Sequence, residues 1–178
     1  MTAPRGRGLP TGWDLSVLAL ANAAIVAGLW WRQGGLRDIH DLGGLLTSAG
    51  RLTGLLGAYL ALVQVLLLGR IPALDRALGF ARVAAWHRRN GVACLGLLAA
   101  HAVLVTAGYA AADGAGVGWQ AGELLSSYPG VLLALIGLGL LVAVVVTSVA
   151  IVRRRLGHRA WHAVHLTAYA AIALAFSH

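Results

Sequence analysis

Residues 84–107 read AAWHRRNGVACLGLLAAHAVLVTA. Charge is confined to Arg88 and Arg89 near one end, and beyond them the stretch is apolar except for two small polar residues and a histidine. A helix needs roughly 20 mainly apolar residues to cross a hydrocarbon core of about 30 Å, and this stretch supplies them. Histidine within such a span is costly and usually functional. Here there are two, His87 and His101, 14 residues apart. At 1.5 Å per residue they stand about 21 Å apart along the axis, separated by nearly four whole turns, so both imidazoles face the same way at two depths.

Four further stretches have the same character. With the first they give spans at 13–31, 45–68, 84–107, 131–152 and 161–178, behind a short N-terminal tail, 1–12. The whole chain is 59% apolar and 11% charged, with a mean hydropathy of +0.78. A soluble domain is about 25% charged, so the bilayer is the expected solvent. The first span follows Arg5 and Arg7 as a secretory signal would. However, it is long for one and ends in Trp30–Trp31, an interfacial belt rather than a cleavage site. It reads as a retained helix. The fold class that follows is an all-α integral membrane bundle of five transmembrane helices.

The net charge of +8 comes entirely from arginine. The arginines lie in short runs between apolar blocks, which excludes a nucleic-acid footprint and instead reports topology. Arg5 and Arg7 precede the first span. Arg70, Arg76, Arg82, Arg88 and Arg89 follow the second, and Arg153, Arg154, Arg155 and Arg159 follow the fourth. The first loop balances Arg32 and Arg37 against Asp38 and Asp41, and the third has Asp113 and Glu123 with no arginine. The positive-inside rule then puts the N-terminus in the cytoplasm of a multi-pass cell-membrane protein and residue 178 near the outer side. Residues 108–122, rich in glycine, read as a flexible external loop. Gly50, Gly54 and Gly57 give the second span a small face on which a neighbouring helix can pack closely.

The fifth span carries a second pair of histidines, His165 and His178, with His162 one turn earlier. The third and fifth spans run in the same direction, so His87 matches His165 in depth and His101 matches His178. Neutral imidazole is a haem axial ligand, and two bis-imidazole sites stacked across one membrane would form an electron relay. Thirteen residues of ideal helix leave about 140° between His165 and His178. His162 is about as far out of phase, so the arithmetic does not choose between the two. His40 and His158 fall in loops. Cys94 is the only cysteine, which rules out both an intrachain disulfide and covalent haem attachment through C-x-x-C-H.

With these residues in place, the segments GRLTGLL (50–56), LLLGRIPALDRALGFARVAAWHRRNGVACLGLLAAH (66–101) and HRAWHAVHLTAYAAIALAFSH (158–178) resemble the ferric reductase-like transmembrane family. That family includes NADPH oxidases, cell-surface ferric reductases and bacterial haem relatives. The resemblance implies two non-covalent b-type haems, the inner held by His87 and His165 and the outer by His101 and His178. It also suggests Arg51 and Arg70 as partners of haem propionates, and a charge inside a span, such as Arg51, must find a partner in any case. Electrons would pass from a cytoplasmic flavin and NAD(P)H donor to an external acceptor, chelated ferric iron being the expected one. The chain contains no G-x-G-x-x-G or P-loop, so FAD and NAD(P)H would sit on a separate flavoprotein or on a missing dehydrogenase domain, and a sixth helix is expected from the family but not found. Two positions depart from the oxidases: Val105 replaces a further histidine, and Ala171 replaces a bulky aromatic between the haems. A reductase is therefore the better match. The alternatives are a dihaem cytochrome b of a quinone-linked or oxygen-reducing complex, a histidine-based proton or metal transporter, and a non-catalytic scaffold. The transporter predicts acidic residues within the spans, and spans two to five have none.

Overall fold

The computed structural model describes residues 12–37, 39–69 and 71–176. The described chain is all helical: α1 (Gly12–Arg32), α2 (Leu42–Leu68), α3 (Pro72–Leu78), α4 (Phe80–Ala112), α5 (Val117–Ser127), α6 (Val131–Ser148) and α7 (Ala150–Ala175). Four of these, α1, α2, α4 and α6, are long and apolar enough to cross a membrane. α7 carries Arg154, Arg155 and Arg159 in its first half and bends at Gly157 (φ 70°, ψ 158°), a backbone conformation open essentially to glycine alone.

Burial follows the logic of lipid rather than water. The buried side chains are small (Ala61, Cys94, Ala110, Val144 and Ala171 among them), whereas Leu62, Val92, Val103, Leu132 and Val142 are exposed. Lipid tails are as apolar as leucine, so helices in a bilayer gain by bringing small residues together and turning large ones outward. The protein is a multi-pass membrane helical bundle.

Two antiparallel helix pairs make up most of it. α2 packs extensively against α4, and α6 against α7, while α4 and α7 share almost no close backbone approach among the described residues. α2 begins at Asp41, whose side chain accepts from the Gly44 amide at 2.7 Å. α1 is held by the Tyr59 hydroxyl, which donates to the Ala19 carbonyl at 2.9 Å, and the turn after it by a bond from Ser48 to the Gly35 carbonyl.

Two expectations change. The segment expected as a flexible external loop, 108–122, is largely helical: α4 continues to Ala112 and α5 starts at Val117. α5 is amphipathic, burying Gln120 and Leu124 while exposing Trp119, and that tertiary burial overrides the poor helix propensity of its glycines. The second loop also holds α3, which starts on Pro72, a residue suited to a first helical position.

Candidate functional site

The α2–α4 contact runs on a seven-residue repeat. A Cβ on Gly50 would lie 2.7 Å from Val105 Cγ2, one on Gly54 2.7 Å from His101 Nδ1, and one on Gly57 2.8 Å from Leu98 Cδ2. The glycine face read from the sequence is therefore the surface against which α4 lies. Three equivalent rungs cross the contact. Gln64 meets His87, the Gly57 carbonyl meets Cys94 Sγ at 3.4 Å, and the Gly50 carbonyl meets His101 Nδ1 at 2.9 Å. The 14-residue spacing of His87 and His101 thus amounts to two repeats of one packing contact.

At the first rung the His87 ring faces His165 of α7, with centroids 6.1 Å apart and planes inclined at 58°. This is where the two helix pairs come together. His87 is partly buried, its Nε2 lies 3.2 Å from the Gln64 amide nitrogen, and its Nδ1 is buried without a hydrogen-bond partner. His165 Nδ1 lies 3.4 Å from Ser148 Oγ at the end of α6. Ser148 donates its single hydrogen to the Val144 carbonyl at 2.7 Å, so it can only accept from His165, whose Nε2 then carries the lone pair. Trp161 stacks on His165, with centroids 5.0 Å apart. His162 is exposed and stacks on His158 instead. Of the two candidates that spacing left open, His165 is the one brought to His87.

At the third rung His101 donates its Nδ1–H to the Gly50 carbonyl, which leaves Nε2 as the acceptor in the neutral ring. His101 and Arg51 line one cavity of about 510 Å³, whose wall continues through Gly54, Leu98, Leu141, Ile172 and Phe176. Trp30, in the last turn of α1, and Gly35, just after that helix, border it as well. The cavity lies between the helix pairs, where α2 and α4 face the last turn of α7. His178 and Arg70 lie outside the described residues, so the outer pair is described at His101 alone. Val105 packs on Gly50, and Ala171 is fully buried with its carbonyl 2.7 Å from where a Gly137 Cβ would stand.

Reading the sequence for histidines and arginines missed three polar residues. The amide of Gln64 donates to the His87 carbonyl at 3.1 Å, and Gln64 Oε1 accepts from Asn90 at 2.7 Å. Ser148 is the third. Their signal in the sequence is that they are uncharged polar residues inside or at the end of apolar spans, where such groups bond across helices.

A family model described as "Ferric reductase like transmembrane component" matches residues 53–176, more than half of the chain. The chain belongs to this family. No curated protein and no solved structure matches it. The match takes in His87, His101 and His165, while Arg51 and His178 lie just beyond its two ends. As a ferric reductase-like transmembrane protein, the chain is an oxidoreductase-type membrane component of the kind that moves electrons across a bilayer.

Proposed function

We propose that this protein carries electrons across the cell membrane through two b-type haems, with His87 and His165 holding the inner one and His101 and His178 the outer. The observation that carries this reading is the approach of His87 to His165. The two rings face one another at 6.1 Å, centroid to centroid, and they are the pair that would hold the inner haem. His87 also keeps a buried nitrogen with no partner, which a native protein seldom leaves without a reason.

When bound, haem supplies one-electron chemistry at iron, tuned by its axial ligands and surroundings. The residues of the chain do the rest. The Gly50 carbonyl and Ser148 Oγ each take an Nδ1–H, which orients the His101 and His165 rings and makes Nε2 the atom by which each would hold the metal. Arg51 supplies positive charge in the cavity that His101 lines, where a propionate would need it. Gly54 leaves the room that the His101 ring occupies, since a Cβ there would lie 2.7 Å from its Nδ1. The arginine distribution supports a cytoplasmic N-terminus and an inner site at His87. α7 beyond Gly157 serves as the fifth crossing. The donor is a cytoplasmic flavin and NAD(P)H system on another polypeptide or domain, and the acceptor is chelated ferric iron outside.

The test is a reduced-minus-oxidised visible spectrum of detergent-purified protein, with haem per chain determined on the same sample. Two low-spin b-haems are expected. His87→Ala and His165→Ala should each leave one haem, and the double variant should lose no more than either alone. A colourless protein made with ample haem overturns the reading.

A further inference from the structure

Gln64 sits inside α2 where a span would ordinarily hold a leucine, and its whole amide is engaged. Its oxygen accepts from Asn90 at 2.7 Å, and its nitrogen reaches both the backbone carbonyl of His87 at 3.1 Å and the ring Nε2 at 3.2 Å. Asn90 is fixed in turn by a bond from its Nδ2 to the Leu60 carbonyl at 2.8 Å. Gly91 completes the fit, since a Cβ there would come within 3.0 Å of the Gln64 nitrogen. The equivalent rungs have no such arrangement. At His101 and at Cys94 the partner on α2 is a backbone carbonyl, which can only accept. At His87 alone the partner is an amide.

Groups that hydrogen-bond a ligating histidine fix its ring and alter its basicity, and with that the potential of the metal it binds. We propose that Gln64, braced by Asn90, is the positioning residue of the inner site: it orients the His87 ring for its metal and sets that site's reduction potential apart from the outer one. This rests on the proposed ligation of a haem by His87 and His165. A purely structural role, two helices held together by polar side chains, would leave the electronic character of either haem untouched.

The experiment compares full-length wild type, Gln64→Leu, Asn90→Leu and the double variant in detergent, by potentiometric titration and by low-temperature electron paramagnetic resonance. With Gln64→Leu, the midpoint potential and g-values of one haem shift, and those of the other stay at their wild-type values. The haem that shifts is the one missing from His87→Ala. Loss of that haem alone is the same result at its extreme. Asn90→Leu should move the same haem by less, and the double variant should equal Gln64→Leu, because Asn90 acts through Gln64. Unchanged potentials and g-values in Gln64→Leu, or a shift confined to the haem lost in His101→Ala, overturn the proposal and leave the two-haem reading intact. A wild type without haem overturns both.

Discussion

The α2–α4 pair and the α6–α7 pair each present histidine to the space between them, but they position it by different means. On α4 the histidines belong to the packing itself. His101 touches the glycine face of α2, and His87 is bonded to Gln64 of the same helix. On α7, His165 is placed by what flanks it: a serine at the end of α6, a stacked tryptophan, and a bend at Gly157 eight residues before it. A ligand built into a helix seam can move only if the seam opens. A ligand hung beside a bend can move with the helix end. The first arrangement is rigid, and the second leaves room to adjust.

Substitutions separate the two. The largest effect is expected of Gly54→Leu, whose side chain must occupy the space of the His101 ring. It should cost about 3 kcal/mol, the upper range for overpacking, and remove the haem that His101→Ala removes. A melting curve in detergent and the haem content would show this, and an unchanged melting temperature would argue against a close-packed seam. Gly137→Val directs a methyl group at the Ala171 carbonyl, where a Cβ already lies within 2.7 Å. It should cost about 2 kcal/mol, because α7 can move away from α6. Spin labels on α6 and α7 should report a longer separation, and an unaltered distance would refute the idea that the second pair yields. Gly157→Ala forces alanine into a glycine-only backbone region, at about 1.5 kcal/mol. Its effect should fall on the haem held by His165, leaving the other spectrum as it was. The smallest effect is that of Asp41→Ala, which removes the cap of α2 far from either histidine rung. It should cost about 1 kcal/mol and leave both haems in place.

The parts of this fold that were legible in the sequence are those governed by period. The spacing of Gly50, Gly54 and Gly57 announced a packing face, and the 14 residues between His87 and His101 announced a shared one. The choice between His162 and His165 was not legible, because it depends on how α7 is rotated after the break at Gly157, and a backbone bend leaves no arithmetic trace. α5 was missed for a related reason. Gly116, Gly118 and Gly122 lower its intrinsic propensity, and only the burial of Gln120 and Leu124 makes a helix worthwhile there. Gln64 and Asn90 were in plain view but belong to no motif, and each becomes informative only beside the other. Arg51 was singled out for being a charge within a span, and it lies on the wall of the cavity that His101 also lines.

The repeat across α2 and α4 works as a ruler. Its graduations are seven residues apart, about 10.5 Å of helix, and a side chain meets the partner helix in the same way only at a graduation. His87 and His101 occupy two of these marks and Cys94 the one midway, each opposite an α2 residue stepped by the same seven: 64, 57 and 50. The distance an electron would have to cover is therefore not freely adjustable in this architecture. A change of ligand position along α4 can lengthen or shorten it only in steps that bring a side chain back to the seam, as Leu98 and Val105 are brought back on either side of His101.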